Sequence, residues 1–381
     1  MATTVYDFAI VGAGAAGLHL AMAMIAEPFF KDKKVLILDK DQKTENDRTW
    51  CFWEKGKGKW DSILAQSWES GKFITKQHDL DLTLQPYRYK MLHAIKFYAH
   101  AKKKIATATN FEWITENVEN IQSESLVTIQ TDQNNYSTKQ VFDSRIDPAF
   151  FEKKDNYIRL LQHFKGWFIK TEKAVFDPSV FVMMDYRIKW KDSTSFIYVL
   201  PTSENEALIE FTFFSPELVE DQVYDDCLKK YIHEVLNVQN YTVEKEEQGI
   251  IPMSNFPFHR SSQKGILKIG TAGSWVKPSS GYSFKNAEKL AAKIVQNLKS
   301  GRPADQNLYQ KKYNIYDTLF LDVLHDHNEM GEDLFVTMYT KNKIQRVFEF
   351  LDEETTFAQD VAIMNTFEWM PFFRAIKNQY F

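Results

Sequence analysis

The feature that most constrains the fold is a glycine motif, GAGAAG at residues 12–17, which stands between two short apolar segments. Residues 5–11 precede the motif and residues 33–39 follow it, and both have the apolar composition of buried strands. The apolar residues 18–26 between them predict a helix that begins after the last glycine. A strand, a glycine turn, a helix and a second strand in this order form the context that a dinucleotide-binding motif requires.

Each glycine of the motif has a separate predicted role. Gly12 permits the tight turn, Gly14 lets the backbone approach a pyrophosphate, and Gly17 lets the helix pack closely on the strand. Asp39 lies 22 residues after Gly17, at the end of the second apolar segment, where a carboxylate can accept hydrogen bonds from ribose hydroxyls. These residues predict a Rossmann-type α/β unit, and they leave open whether FAD or NAD is bound.

Composition narrows the class of protein. The 381 residues include 47 Lys+Arg and 51 Asp+Glu, and this net charge of −4 argues against a nucleic-acid-binding protein. Aromatic residues make up 15% of the chain, which excludes a disordered chain. Cys51 and Cys227 are too few and too far apart for a disulfide framework or a zinc cluster, so we expect the reducing cytoplasm and no metal.

One apolar stretch, residues 8–26, is as long as a membrane-spanning helix. Asp7 stands directly before it, no Lys or Arg precedes it, and small residues and glycines make up most of its first half. A signal peptide carries a basic segment at its start, and glycines interrupt a helix. We therefore expect this stretch not to span a membrane.

The rest of the chain shows alternating and helical patterns. Residues 40–84 are predicted to form a long loop, residues 87–104 a helix, and residues 111–146 a small β-meander. A period of two between residues 165 and 215 predicts an antiparallel sheet, with strands at residues 181–190, 195–200 and 207–214. Helices are predicted at residues 218–236 and 282–298 and throughout the segment after Pro303, and a strand running into a glycine turn at residues 265–272.

The principal candidate for acid chemistry is Glu210, which stands between Ile209 and Phe211 in the strand at residues 207–214. A carboxyl group in such apolar surroundings has a raised pKa and can remain protonated as a general acid. The alternative is a glutamate on an edge strand that reaches water, since charged residues are seldom fully buried. A second acidic cluster, Glu353 and Glu354, resembles the charged first turn of a helix.

Two further motifs contain candidate cofactor contacts. In DRTWCFW at residues 47–53, Arg48 either contacts phosphate or adenosine, for which a guanidinium is suited, or belongs to a solvated loop. In the segment at residues 268–284, a turn at Gly273 and a helix start after Gly281 would let the backbone approach a ring system.

Taken together, these motifs resemble the lycopene cyclase family of the bacterial and plant β-cyclase type, over nearly the whole chain. The resemblance rests on GAGAAG at residues 12–17, DRTWCFW at 47–53, MDYR at 184–187, YVLP at 198–201, LIEFT at 208–212, GTAGSWVKPSSGYSF at 270–284 and FLDEET at 350–355. The chain differs from some relatives, which carry an acid at the position of Phe211, and Asp352 is an additional residue in the acidic C-terminal motif. The turn at Gly273 also lacks the Gly-Asp pair common in flavin hydroxylases.

The resemblance implies an FAD-binding Rossmann-type fold like that of hydroxybenzoate hydroxylase. It implies a discontinuous FAD-binding domain from residues 1–85, 86–150 and 245–300, an antiparallel-sheet substrate domain at residues 151–244, and a C-terminal helical region at residues 301–381. The residues at the cofactor would be Gly12, Gly14, Gly17, Asp39, Arg48, Gly273 and Gly281.

The resemblance also implies an isomerase that cyclises the ends of lycopene to β-rings, by way of γ-carotene to β-carotene, with no net redox change. FAD would act in its reduced form with NAD(P)H as reductant, and Glu210, Glu353 and Glu354 would be the catalytic residues. Lycopene and other acyclic carotenes would be the substrates. Because such substrates reside in bilayers, the location would be cytoplasmic, with peripheral association at the inner membrane.

Three alternatives remain open at this point. On the same fold, the chain could be a flavin-dependent hydroxylase or a prenyl reductase, and outside enzymology it could be a carotenoid-binding flavoprotein that returns its ligand unchanged. The segment at residues 367–381 mixes aromatic and basic residues, as interfacial segments do, and is either a membrane-contact segment or an ordinary core helix.

Overall fold

The computed structural model describes residues 4–152 and 157–381. Its strands are β1 (Val5–Val11), β2 (Val35–Asp39), β3 (Thr49–Lys55), β4 (Gln66–Trp68), β5 (Ser70–Ile74), β6 (Asp79–Thr83), β7 (Tyr87–His93), β8 (Phe111–Thr115), β9 (Val118–Ser123), β10 (Val127–Thr131), β11 (Asn135–Asp143), β12 (Arg159–Thr171), β13 (Val180–Asp185), β14 (Thr194–Pro201), β15 (Glu206–Ser215), β16 (Tyr241–Ser254) and β17 (Ile266–Lys268). Its α-helices are α1 (Ala15–Ala26), α2 (Ala94–Ile105), α3 (Asp221–Lys230), α4 (Phe284–Lys299), α5 (Lys311–Asp326), α6 (Gly331–Lys341), α7 (Ile344–Leu351), α8 (Phe357–Met364) and α9 (Trp369–Tyr380).

The first sheet contains the glycine motif and has the order β8-β2-β1-β11-β10-β9, with β17 paired to β11. Strands β8, β2, β1, β11 and β17 are parallel where they pair, whereas β9 and β10 extend the sheet as antiparallel strands. Helices α1, α2 and α4 bury their apolar residues together over this sheet. The predicted strand, glycine turn and second strand are confirmed, and so is a helix between them. The helix, α1, begins at Ala15 directly after Gly14, so the predicted start after Gly17 is wrong by one turn.

The second sheet has the order β16-β12-β15-β14-β13-β5-β6, and all its neighbours are antiparallel except β13 and β5. The three predicted strands of the antiparallel sheet are confirmed as β13, β14 and β15. A three-stranded sheet, β3-β7-β4, packs against it through one shared apolar cluster that also includes residues of α5, α6, α7 and α9. The predicted helices after Pro303 therefore cover the second sheet.

Several predictions for local structure are wrong. The predicted loop at residues 40–84 contains β3 to β6, and the predicted helix at residues 87–104 is strand β7 up to His93 and helix α2 only from Ala94. Aromatic residues decide both cases, because Tyr87 and Tyr89 are buried where β7 pairs with β3, and this pairing overrides helical spacing. Within the predicted meander, the first part forms two strands, β8 and β9, and the predicted strand at residues 181–190 is extended only to Asp185.

Two further expectations concern helix positions. Glu353 and Glu354 do not open a helix, because they follow the end of α7, and Glu353 has a positive φ of 61°. The stretch at residues 8–26 is divided between β1 and α1, and within residues 4–152 and 157–381 no helix is long and apolar enough to cross a membrane.

Sheet membership does not follow the expected domain boundaries. Strands β5 and β6, which lie before residue 85, hydrogen-bond into the second sheet, and β16 forms an edge of that sheet although most of it lies after residue 245. The second sheet is thus assembled from three separate parts of the chain. The division into domains remains a prediction.

Candidate active site

A cavity of about 530 Å³ lies between the second sheet, strand β3, residues 271–284 and the C-terminal helices. Its walls are mainly apolar, and their sheet side is formed by Phe164, Met183, Phe196 and Phe214. The opposite wall comes from α5 to α9, with Phe320, Phe335, Met338, Phe367, Phe372 and Ile376. A cavity of this kind accepts a hydrophobic ligand and offers few hydrogen bonds to hold water.

Glu210 is the carboxyl group of the sheet wall. Strand alternation places Glu210, Thr212 and Phe214 on the cavity side of β15, as the sequence pattern predicts. Strand β15 is an interior strand between β12 and β14, and only 9% of Glu210 is exposed, so the alternative of an edge glutamate that reaches water is wrong.

Burial and, to a smaller extent, the nearby Glu247 carboxyl raise the pKa of Glu210 to about 8, against the opposing effect of the hydrogen bond from Thr212. The Thr212 Oγ1 hydroxyl donates to Glu210 Oε1 at 2.6 Å. Glu210 is therefore protonated at neutral pH, and Oε1 is already occupied as an acceptor. With the acidic proton on Oε2, the carboxyl can donate this proton to a ligand in the cavity.

Three tyrosine hydroxyls form a connected group on the same cavity wall, and sequence analysis missed them. Tyr198 donates to Tyr89 at 2.6 Å, and the hydroxyls of Tyr89 and Tyr282 are 3.0 Å apart. Burial raises the pKa of each phenol, and it raises the pKa of the neighbouring Cys51 thiol to about 12. These groups are neutral, so they present dipoles to the cavity without adding charge.

The glycine motif has the shape that a bound pyrophosphate requires. Gly12 has a φ of 97°, and a Cβ at Gly17 would lie 2.0 Å from the Gly12 carbonyl oxygen, so the turn and the helix are in close contact. Within the part of the chain that the structure describes, a Cβ at Gly14 would meet no atom within 4 Å beyond its chain neighbours and its own helix. The backbone at Gly14 is therefore open on the side where the N-terminus of α1 begins, which fits an anionic ligand there.

The other expected cofactor contacts lie at different places. Asp39 ends β2, and its Oδ2 accepts a hydrogen bond from the Ala13 backbone N–H at 2.5 Å, so this carboxylate adjoins the glycine turn. Arg48 lies at the cavity rim with an exposed side chain 3.4 Å from Asp47. Arg48 precedes β3 and is exposed, as the solvated-loop alternative expects, whereas the following residues of the motif belong to strand β3 (Thr49–Lys55).

Gly281 and Gly273 differ in their surroundings. Gly281 lines the cavity with a φ of 72°, and a Cβ there would lie 2.0 Å from Gln162 Oε1. Gly273 is buried in a turn, where a Cβ would lie 2.4 Å from the Lys268 carbonyl oxygen. The first glycine therefore adjoins the ligand space, and the second permits the turn that precedes it.

The acidic C-terminal motif lies behind the cavity wall instead of beside Glu210. Phe350 and Leu351 line the cavity, whereas Glu353 contacts the buried ammonium of Lys277 at 3.5 Å. That ammonium also lies 2.9 Å from Asp317, and burial raises the pKa of Glu353. Glu354 is exposed and 4.0 Å from Lys289, so the two glutamates occupy unlike environments.

Asp352, the additional residue of this motif, has its own buried partner. Trp53 Nε1 donates to Asp352 Oδ2 at 2.7 Å, and burial raises the pKa of Asp352 to about 7. Among the residues that the structure describes, no group of three or more His, Cys, Asp or Glu side chains could hold a metal ion.

Comparison with solved structures shows the fold. Over 98% of each chain, the protein superposes on a geranylgeranyl bacteriochlorophyll reductase-like protein from Thermoplasma acidophilum, with a TM-score of 0.63 and 13% identity. The flavin-dependent brominase Bmp2 matches with a TM-score of 0.60 and 13% identity, also over 98% of each chain. The flavin-dependent monooxygenase PieE, solved with FAD and substrate, gives 0.60 and 11% over 95% of this chain and 72% of that chain. The expected FAD-binding Rossmann-type fold is confirmed.

Sequence comparison shows the family. A curated lycopene beta-cyclase from Paracoccus sp. (strain N81106 / MBIC 01143) is 29% identical over 153 residues, which is 39% of this chain and 38% of the relative. The aligned part therefore covers less than half of the length of that relative. The family model described as lycopene cyclase protein matches residues 7–377. The chain therefore belongs to the lycopene cyclase protein family.

Proposed function

We propose that the protein is a lycopene β-cyclase that uses Glu210 as its general acid. The observation that carries this proposal is a buried carboxyl with a pKa of about 8, which faces a cavity with mainly apolar walls. Protonation of an alkene requires a donor that still carries its proton at neutral pH and is held away from water, because water would capture the resulting cation as an alcohol. A protonated carboxyl in an apolar wall meets both requirements.

The proposed reaction is an isomerisation in which one proton enters and one leaves. The Glu210 proton forms a C–H bond at the terminal double bond of an acyclic carotene, and the neighbouring double bond attacks the cation and closes the ring. A ring proton then returns to the Glu210 carboxylate or to a nearby group, which restores the acid. Aromatic faces such as those of Phe196 and Phe214 stabilise the cation meanwhile.

We propose FAD as the cofactor, because the open backbone at Gly14 and the carboxylate of Asp39 fit a dinucleotide. Gly12 and Gly17 would shape the pyrophosphate turn, Gly281 would adjoin the flavin, and Arg48 would contribute a cation at the rim. Reduced FAD, when bound, would supply negative charge for the cationic reaction, and NAD(P)H would be its reductant.

We propose lycopene and other acyclic carotenes as substrates, taken from the surface of the inner membrane on its cytoplasmic side. Helix α9 supports this, because Phe372 and Ile376 line the cavity while Met370 and Phe373 are more than half exposed. Trp369 is nearly half exposed and also lines the cavity. An apolar helix face beside a cavity opening fits an interfacial segment, with Arg374 and Lys377 available to anionic lipid.

The proposal is tested by expressing the protein in cells that accumulate lycopene and identifying the carotenoids by chromatography. We expect γ-carotene and β-carotene, and unchanged lycopene from well-expressed, FAD-containing protein would contradict the proposal.

A second experiment measures the consumption of NAD(P)H against the amount of product in purified enzyme. A cyclase uses reductant only catalytically, whereas stoichiometric consumption would indicate a hydroxylase or a prenyl reductase.

A further inference from the structure

A second carboxyl lies in the same row of the sheet as Glu210. Glu210 on β15 pairs with Gly166 on β12, and Gly166 pairs on its other side with Glu247 on β16. Residues that pair directly across strands present their side chains to the same face of a sheet. Glu247 therefore points to the face that carries Glu210, two strand spacings away, or about 9.5 Å between the backbones.

Gly166 leaves the space between these two carboxyls open. A Cβ at this position would lie 3.4 Å from Glu210 Cβ and 2.8 Å from Leu208 Cδ1. Any larger side chain would stand between the glutamates and crowd Leu208. With glycine, each glutamate side chain can lean over the strand that separates them.

The surroundings of the two carboxyls assign the charge within the pair. Glu247 Oε2 accepts a hydrogen bond from Thr49 Oγ1 at 2.9 Å. Burial raises the pKa of Glu247, and this hydrogen bond and the Lys245 ammonium oppose the rise. Glu210 is more deeply buried and receives its hydrogen bond from Thr212. When two neighbouring carboxyls share one proton, the anion resides on the one with the better donors and the nearer cation.

The other titratable groups that face the two carboxyls are neutral at neutral pH. Tyr198 on β14 pairs with Glu210 on its other side, and Cys51 on β3 and Tyr282 face it from the neighbouring segments. Burial raises the pKa of each of these groups, so they carry no charge at neutral pH. His93 lies near Lys245, and burial together with Lys245 lowers its pKa, so it is neutral as well.

We propose that Glu247 is a positioning residue of this site, whose negative charge, held by Thr49 and Lys245, keeps the proton on Glu210. Glu247 itself transfers no proton to substrate, and it acts by making ionisation of Glu210 unfavourable. This inference rests on the proposed function of Glu210 as the acid.

The test is the pH dependence of kcat/KM for cyclisation by FAD-loaded enzyme. Activity requires protonated Glu210, so it falls as pH rises through the pKa of this group. Glu247→Gln removes the neighbouring charge, and we expect the alkaline limb to move about one pH unit lower. The matched control is Glu246→Gln. Glu246 is the preceding residue on β16, faces the other side of the sheet and forms a salt bridge with Lys165 at 3.5 Å. Its limb should stay at the wild-type pH.

An infrared titration keeps this proposal separate from the proposed reaction. The C=O band of the protonated carboxyl that disappears in Glu210→Gln is followed against pH in wild type and in Glu247→Gln, without any substrate. We expect the pH midpoint of this band to be lower by about one pH unit in Glu247→Gln, as for the alkaline limb of activity. An unmoved midpoint, or an equal shift in Glu246→Gln, would overturn the role of Glu247. Failure of wild type to convert lycopene would instead overturn the proposed function and leave the infrared result interpretable.

Discussion

Trp53 and Asp352 are joined by a hydrogen bond of 2.7 Å between the indole Nε1 and the carboxyl Oδ2, although 299 residues separate them. The bond connects strand β3 with the end of helix α7, and the indole also stacks on Phe348 at a centroid distance of 4.5 Å. It ties the DRTWCFW motif to the acidic C-terminal motif. The residue that is additional in the second motif is thus the one that contacts the first.

This contact predicts a pH-dependent effect of Trp53→Phe. Phenylalanine preserves the stacking but leaves Asp352 without its donor, which is expected to lower the free energy of unfolding by about 1–3 kcal/mol. The loss should be larger at pH 8, where Asp352 with its pKa of about 7 is charged, than at pH 5, where it is protonated. Chemical denaturation at both pH values measures this. In the background of Asp352→Asn, whose amide oxygen still accepts but does not titrate, the loss should be the same at both pH values. A loss that still increased with pH there would show that another group causes the pH dependence.

Replacement of the proposed acid is expected to abolish cyclisation and to change stability with pH. The pKa of Glu210 is raised from 4.5 to about 8 in the folded protein, so the folded state binds more protons than the unfolded state between these values. Wild-type stability therefore falls as pH rises from about 4.5 to 8, and Glu210→Gln lacks this fall. The free energy of unfolding of the variant, measured against that of wild type, should therefore rise by on the order of 3 kcal/mol between pH 5 and pH 9. Denaturation curves measure this difference, and FAD content shows whether the variant keeps its cofactor. A variant that retains cyclisation would show that Glu210 is not the acid.

The two glutamates of the C-terminal motif should respond differently to mutation. Glu353→Gln removes one acidic partner of the buried Lys277 ammonium, and since Asp317 remains, we expect a loss of about 1–2 kcal/mol together with a reduced rate of cyclisation. Glu354→Gln alters an exposed side chain and should change stability by less than about 0.5 kcal/mol. Unfolding free energies and turnover numbers of both variants are compared. Equal losses would show that their different surroundings are irrelevant.

The glycine motif offers a pair of substitutions that separate cofactor binding from folding. Gly14→Ala adds a methyl group where, among the described residues, no atom beyond the local backbone lies within 4 Å. Stability of the apoprotein should therefore change little, while FAD affinity falls by about tenfold or more. Gly12→Ala, in contrast, places a Cβ 1.9 Å from Ser144 Oγ at a φ of 97°, so the fold itself should be destabilised. Fluorescence titration with FAD and thermal unfolding of the apoproteins provide the two measurements. Normal FAD affinity in Gly14→Ala would place the cofactor elsewhere.

Helix α9 predicts the site of membrane contact. Replacing the exposed Trp369 and Phe373 together by serine should reduce sedimentation with vesicles of mixed phosphatidylglycerol and phosphatidylethanolamine by about tenfold, because the apolar area that inserts is lost. Leu218→Ser is the control, since Leu218 is about as exposed but lies on the segment before α3. A similar loss in the control would indicate that exposed apolar area in general causes the binding.

Local sequence determined the elements whose signal is short-range. The glycine motif with its two flanking strands predicts β1, α1 and β2 because turn, helix start and strand are encoded within 35 contiguous residues. The alternation at residues 207–214 predicts which face of β15 carries Glu210, since the side-chain period of a strand is two. The composition of the strand also indicates an unusual carboxyl.

Only the tertiary structure decided what surrounds that carboxyl. Whether Glu210 is buried depends on β15 lying between β12 and β14, and its row of neighbours, Gly166, Glu247 and Tyr198, comes from strands that are distant in sequence. The pairing of β3 with β7 turned an expected loop and an expected helix into strands, because burial against other parts of the chain outweighed local spacing. Register between strands is fixed by packing across the whole sheet, and no local pattern contains it.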